Sequence, residues 1–221
     1  MPRQIKNTKP LIYVFCEGES EQAYTDFLKK QFEEVAVIKH PKSTGLFHEA
    51  ESLFKNSPKY KNSVEVTDEI WFFFDVEKED VGKWSDRLSI INKLRKMRKK
   101  PNIRVRLLMT SGCIEYWFML HYKMYTPPLQ TVAEKERVIA ELKRREPTYS
   151  KGDPISTCKI ASNYPTAVIN SENTVKTLLG EGLPGLEDTD IRNQWLCTNC
   201  KTFSNVYEAI QYLEGLSLKN K

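Results

Sequence analysis

Two groups of carboxylates stand directly behind two very apolar runs. Glu17, Glu19 and Glu21 follow Leu11-Ile12-Tyr13-Val14-Phe15-Cys16, and Asp75, Glu77, Glu79 and Asp80 follow Ile70-Trp71-Phe72-Phe73-Phe74. If the two runs are neighbouring strands, the residues at their carboxyl ends meet in one patch. Carboxylates a few ångströms apart repel, and their pKa values rise unless a cation neutralises them. A hard divalent ion, Mg²⁺ or Mn²⁺, takes such oxygen ligands, keeps some of its waters and recruits phosphate oxygens. It can activate a water or stabilise a leaving oxygen in phosphoryl transfer. Asp75 and Glu77, two residues apart, share a side while the chain stays extended. Glu17 and Glu21 flank a helix start, whose first amides are suited to phosphate. The competing reading is that acids gather at strand ends because turns are polar. Two clusters, each behind a very apolar strand, favour the site.

A basic counterpart lies between Lys93 and Arg106, where eight of fourteen residues are Lys or Arg. It is either a solvated helix end followed by a sheet edge, or a surface that follows phosphates. On the second reading Lys96, Arg98, Lys99 and Lys100, at the end of one helix, approach a nucleic-acid backbone together. The net charge of +5, from 34 Lys and Arg against 29 Asp and Glu, is too modest to argue for nucleic acid by itself.

Other chemical signals are weaker. Cys197-x-x-Cys200 lies near the C-terminus in an expected loop, without the early strand and helix start of a redox pair or a second pair for zinc. His40, His48 and His121 show no ligand spacing, and His121 ends a strongly apolar helix, as a satisfied core histidine would. Tyr116, Trp117, Tyr122 and Tyr125 have the chemistry to stack on bases, but at this density they read as core.

The positioning elements follow from periodicity. Leu11–Cys16 has the length of a buried strand, then comes a polar turn with Gly18, then a helix with apolar residues at Tyr24, Phe27, Leu28 and Phe32 and Ser20 as its expected N-cap. A short strand over Val35–Ile38, a helix through Leu46–Phe54 and a surface loop over Lys55–Asp68 come next. Ile70–Phe74 is a strand, Trp84–Met97 a helix ended by Pro101, Val105–Met109 a strand, and Thr110-Ser111-Gly112 turns into an aromatic helix through Tyr122. Four alternations of strand and helix favour an α/β fold with a mostly parallel sheet and chemistry at the carboxyl ends of its strands. Pro127 and Pro128 mark a shift to a mainly helical half, with helices expected over Val132–Leu142, Thr166–Leu179 and Phe203–Leu216 and a loop over Gly180–Asn199. The division is residues 1–125 as the α/β core and 126–221 as a helical extension packed on it, the two forming one or two domains. A chain of 221 residues supports that size. No apolar run approaches a membrane span, acids begin too early for a secretory signal, and five cysteines are too few for a disulfide scaffold. A soluble cytoplasmic protein is expected.

The motifs resemble those of a known family. Cys16-Glu17-Gly18-Glu19-Ser20-Glu21 is similar to the C-E-G-x-[ST]-E run of the RloB-like family, a branch of the Toprim-fold proteins. Phe74-Asp75-Val76-Glu77 resembles its F-D-x-[DE]. Ser111 to His121 resembles its S-x-P-x-F-E-x-W-x-L-L-H, with Gly112 and Ile114 interrupting the pattern and no proline present. Tyr149-Ser150-Lys151 and Thr202 fall where that family has a Y-x-K and a threonine. The resemblance implies a Toprim-like parallel sheet and metal-dependent phosphodiester chemistry. By it, Glu17 is the general acid/base or a metal ligand, and Glu21, Asp75 and Glu77 hold Mg²⁺ or Mn²⁺. Glu77 in place of aspartate reaches about one methylene further. Glu115 either joins the same patch or is a buried acid fixing its helix start. Lys151 either neutralises a phosphoryl group or is a solvated loop lysine, as Lys78 also reads.

The resulting expectation is a divalent-metal-dependent nuclease acting on DNA or RNA, including tRNA, in bacterial defence against phage or foreign DNA. The alternative is a non-catalytic Toprim-like module that binds nucleic acid or protein. A phosphatase with an aspartate nucleophile would want D-x-D behind the first strand, where Glu17-Gly18 stands. No G-x-x-x-x-G-K-[ST] loop occurs, and the resemblance implies a companion ATPase, with residues 126–221 as its docking surface or simply as cover for the sheet.

Overall fold

Alternating apolar side chains along four short segments build the centre of the molecule. The computed structural model describes residues 9–219; residues 1–8 and 220–221, at the outer ends of the two expected halves, lie outside it. The strands are β1 (Leu11–Cys16), β2 (Val37–Lys39), β3 (Thr67–Val76) and β4 (Arg104–Ser111). They form one sheet in the order β2-β1-β3-β4, and every neighbouring pair is parallel. The fold is α/β, as the alternation of strands and helices requires.

The helices are α1 (Glu19–Gln31), α2 (Phe47–Asn56), α3 (Pro58–Lys61), α4 (Trp84–Arg95), α5 (Ile114–Leu120), α6 (Val132–Arg145), α7 (Pro154–Ala161), α8 (Tyr164–Thr177), α9 (Asp190–Thr198) and α10 (Tyr207–Lys219). The period of two sorts the strands between two cores. Ile12, Val14, Cys16, Trp71, Phe73 and Leu108 face the layer that holds α1, α5, α6, α7 and most of α10. Tyr13, Phe15, Phe72, Phe74, Leu107 and Met109 face α2, α3, α4 and α9. The sheet is therefore covered on both sides, which explains why β3 reads as a continuous apolar run instead of an alternating one. The helical second half shares both cores with the first, and α8 contributes to each, with Ala167 in one and Val175 in the other.

The free edge of β4 is closed by the segment before α10. Ser204 bridges Thr110 antiparallel. The Asn205 side chain accepts from the Met109 amide at 2.6 Å and donates to the Leu107 carbonyl at 2.9 Å. Buried edge groups that would otherwise lack partners are thereby paired.

Several expected boundaries move. The segment Lys55–Asp68 is not a loop throughout: it holds α3, a 3₁₀ turn over Val64–Val66 and the first residues of β3. Pro58 at the start of α3 nucleates a turn that periodicity over four residues cannot reveal. Gly180–Asn199 contains α9, started by Thr189, whose side chain accepts from the Arg192 amide. The helix α7, capped by Asp153, is an addition to the expected set. The last helix starts at Tyr207 because Phe203–Asn205 is spent on the β4 edge. Gly18, not Ser20, caps α1; Ser20 is buried in its first turn and accepts from the Gly152 amide at 2.9 Å.

Candidate active site

The parallel register sets the carboxylates side by side. Cys16 pairs with Phe73, and the pairing runs one residue further through a bond from the Glu17 amide to the Phe73 carbonyl at 3.0 Å. The Glu17 side chain then folds across the strand end, and its Oε2 accepts from the Asp75 amide at 2.8 Å. Glu17 is exposed and Asp75 half-buried. Burial lifts the Glu17 carboxyl above its ordinary range, the Asp75 amide opposes this, and the charges of Asp80 and Glu77 add to the rise.

Behind this pair lie Glu21 and Glu115, 3% and 1% exposed. Burial, with Glu17 and Glu115 adding, pushes the Glu21 carboxyl up to about 7, against the pull of Lys151. Asp75 is raised well above the usual carboxylate range by burial and by Glu21, Glu17 and Glu115, again with Lys151 opposing. The charges of Glu17 and Glu115 thus bear on both Glu21 and Asp75, and that of Glu21 on Asp75. Gly18 makes room for it: a Cβ there would stand 2.8 Å from Glu21 Oε2.

The second half of the chain supplies the rest of the surround. Tyr149 donates from its hydroxyl to Glu115 Oε1 at 2.9 Å, which with burial keeps it a phenol. This fixes one oxygen of Glu115; the other, Oε2, and Asp75 Oδ1 are buried without a hydrogen-bond partner. Glu115 is therefore both a buried acid at the start of α5 and a member of the patch. Lys151, two residues after Tyr149, is exposed, yet it lies close enough to favour the charged forms of Glu21 and Asp75.

Glu77 takes a different course. Its carboxylate bonds Lys135 of α6, and together with Asp80 it forms a capping box on the 3₁₀ turn that follows. Asp80 is buried. It accepts from the Glu77 amide at 2.9 Å and from Arg87 at 2.6 Å, so it braces the turn that carries Glu77 and is not free for a ligand. Arg87 in turn lies over the rings of Phe47 and Phe74.

All the oxygens here are hard donors, and two unpartnered buried carboxylate oxygens are what a hard divalent cation would satisfy. In chemistry the residues fit Mg²⁺ or Mn²⁺. Their side-chain positions are a separate matter. Among the described residues no group of three or more His, Cys, Asp or Glu is arranged to hold a metal ion. Of the acids expected at the site, Glu17 is tied to the Asp75 amide and Glu77 to Lys135, whereas Glu21, Asp75 and Glu115 make no bond to a cationic side chain among the described residues.

The basic stretch lies elsewhere. Strand β4 runs from Arg104 to Ser111, and α4 ends just before it, so Lys96, Lys99 and Lys100 sit at the amino end of the sheet. Eight residues at about 3.3 Å each put roughly 26 Å between that end and the carboxylates. Arg98 is buried and donates to the Pro101 and Glu65 carbonyls and to Asp68. Its expected phosphate contact is corrected, because the guanidinium is already committed. Arg106 pairs with Glu69 and Arg95 with Asp190. Lys96, Lys99 and Lys100 remain exposed.

The discounted signals behave as core. His121 accepts or shares a proton with Tyr24 at 3.2 Å, and burial lowers its pKa to about 4. Tyr116 and Trp117 are fully buried, beyond the reach of a base. Cys197 is buried against Met109, and all five cysteines are free thiols. Lys135 was the one site residue with no signal in the sequence, since it is one of several charged residues on the face of an amphipathic helix.

No helix among the described residues is long and apolar enough to cross a membrane. No curated protein and no solved structure matches the chain. The pattern that describes the RloB-like protein family matches residues 12–213, from the first strand to the last helix. That span takes in both carboxylate strands and the helical half that surrounds them, and the chain belongs to the RloB-like family.

Proposed function

We propose that the protein is a divalent-metal-dependent phosphodiesterase that cleaves nucleic acid, with Glu17 as its general acid/base. One observation carries this reading: burial and acidic neighbours raise the carboxyls of Glu17, Glu21 and Asp75, and two buried oxygens of the patch, Asp75 Oδ1 and Glu115 Oε2, lack any partner. A hard cation bound among these acids would neutralise their charges and satisfy both oxygens, which supports the reading.

Glu21, Asp75 and Glu115 would hold the cation, with Glu77 able to join once it leaves Lys135. The cation, when bound, supplies Lewis-acid polarisation of a phosphoryl oxygen. Glu17 is the accessible acid of the group, and its raised pKa brings it nearer the range in which it can take a proton from an attacking water. Its bond to the Asp75 amide orients the carboxylate without consuming its second oxygen. Lys151 faces the same charges from solvent, where it is suited to a phosphate oxygen of the substrate.

Family resemblance supports nucleic acid as the substrate, bacterial defence as the setting and a companion ATPase as the regulator. The exposed apolar side chains of Ile155, Ile169 and Ile191 lie on the helical half, where that ATPase would dock. The second reading, a module that binds without cleaving, is favoured by the engagement of Glu77 with Lys135. A cleavage assay on DNA, total RNA and tRNA with Mg²⁺ or Mn²⁺, with and without the ATPase and ATP, separates the two. Metal-dependent cleavage lost in Glu17→Gln supports the enzyme. Tight binding with no cleavage under any of these conditions supports the module.

A further inference from the structure

We infer that Lys135 is a tethered counter-ion that occupies Glu77 in place of the divalent cation and is displaced when Glu77 joins the ligands of that cation. The inference rests on the proposed metal chemistry and names a control on it.

Three observations support it. First, Lys135 is half-buried and bonds the carboxylate of Glu77 directly. Second, the position is built. Gly112, at φ +71°, lets the chain turn beneath it: a Cβ there would meet the Leu129 carbonyl at 2.7 Å and Lys135 Cε at 3.5 Å. A capping box of Thr131 and Glu134 fixes the start of α6 one turn before. Third, Glu115 Oε2 and Asp75 Oδ1 stay unpartnered while Glu77 is satisfied. Lys135, a cation of the helical half, thus bonds Glu77 and leaves the acids behind it without a cationic partner among the described residues. A lysine ammonium is a compact charge with three donors, so it balances Glu77 without giving it the oxygen-rich shell that Mg²⁺ requires. With Lys135 in place the patch holds fewer ligands than it contains, in accord with the absence, among the described residues, of three acids arranged around one point. Because Lys135 rides on α6, a movement of the helical half would change the affinity of the site.

Mn²⁺ binding to the purified, chelator-treated chain, read by calorimetry or by the electron paramagnetic resonance of free Mn²⁺, tests this without any substrate. A partly exposed pair of this kind is weak, so Lys135→Gln is expected to bind Mn²⁺ about two- to fivefold more tightly than the wild type. Lys135→Arg should stay near the wild type. The gain should vanish in the Glu77→Gln background, where Lys135 has no carboxylate to hold. Unchanged or weaker binding in a folded Lys135→Gln overturns the inference and makes Lys135 an orienting residue for Glu77. An equal gain in the Glu77→Gln background also overturns it, leaving only a general field effect. If the wild type binds no Mn²⁺ but Lys135→Gln does, the displacement stands in stronger form. If neither binds, both this inference and the metal reading fail.

Discussion

The Oε2 atom of Glu17 accepts a hydrogen bond from the Asp75 amide at 2.8 Å, joining residues 58 positions apart at the ends of adjacent parallel strands. The bond uses one oxygen of Glu17, a residue exposed at the strand end. A glutamine keeps an acceptor for this bond but cannot take a proton from water. Glu17→Gln is therefore expected to lower the rate of metal-dependent cleavage by about 10²- to 10⁴-fold, with nucleic-acid affinity nearly unchanged. A single-turnover assay alongside a binding titration reads both quantities, and near-normal turnover would remove Glu17 from the chemistry.

The contribution of Glu21 to the pH dependence of the metal-free protein has a definite sign. The carboxyl of Glu21 is raised from 4.5 to about 7 in the folded chain. Between those values the folded state holds a proton on Glu21 that the unfolded state has lost, so this group's contribution to stability falls as pH rises from about 4.5 to about 7. The whole shift corresponds to a loss on the order of 3 kcal/mol. His121, lowered to about 4 by burial, acts in the opposite direction over nearly the same window, so the Glu21 effect is read as a difference: in the presence of chelator, the Tm of the wild type relative to that of Glu21→Gln should decline from about pH 4.5 to about 7. Added Mn²⁺ should raise Tm more at pH 7.5 than at pH 5. A difference between wild type and Glu21→Gln that is flat with pH would mean that the Glu21 carboxyl is not raised by its surroundings.

Gly18 is a test of space. Its backbone, at φ −138° and ψ 178°, is one that alanine adopts freely, so Gly18→Ala introduces no conformational strain. The new Cβ would, however, stand 2.8 Å from Glu21 Oε2. That atom is the end of a flexible side chain and can move, so stability should change by less than about 1 kcal/mol. The carboxylate would be turned out of place, and Mn²⁺ affinity should drop clearly. Unaltered affinity would show that the Glu21 position is not critical to the ion.

What the sequence made legible followed from how locally each feature is specified. The strands β1 and β3 are read from unbroken apolar runs, and Glu17 and Asp75 from their place directly behind them. The parallel register, which no local pattern states, then brings the two together. Glu115 was ambiguous because its burial and its tie to Tyr149 come from a contact 34 residues away. The helices α7 and α9 were missed since each is short and starts from a cap, Asp153 or Thr189, instead of a long apolar stripe. The basic run misled in one respect. A helix end and a strand start look like a continuous cationic surface in sequence, but Arg98 and Arg106 turn inward to Asp68 and Glu69.

The separation of the lysines from the carboxylates gives a prediction about substrate length. Lys96, Lys99 and Lys100 are exposed at the amino end of the sheet, roughly 26 Å from the acids along β4. Only a nucleic acid long enough to run the length of the sheet touches both. Replacing the three lysines with glutamine should weaken binding of long substrates and reduce the slope of log affinity against log salt by about one per lost phosphate contact. A short oligonucleotide that spans only the carboxylate end should bind and react as before. Lys151→Gln, in contrast, should weaken both substrates. If the triple substitution leaves the salt slope of a long substrate unchanged, the amino end of the sheet is an ordinary solvated surface.

Asn205 is expected to be the most sensitive polar position outside the carboxylate patch. It is fully buried, and its amide pairs with the Met109 N–H at 2.6 Å and the Leu107 carbonyl at 2.9 Å. Asn205→Ala would leave two buried backbone groups of β4 without partners, each costing about 1–3 kcal/mol. The expected loss of stability is about 2–4 kcal/mol in denaturant unfolding. Asn205→Asp keeps the acceptor but loses the donor and buries a charge, so it should be no better than alanine at neutral pH. The strand it closes runs to Ser111, just before the turn that carries Glu115, so the same substitution should loosen the far wall of the carboxylate patch. Hydrogen exchange at the amides of Leu107 to Ser111 reads this directly: protection should fall there more than in β1. Uniform loss of protection across the whole sheet would show that Asn205 contributes to global stability without specifically holding the β4 edge.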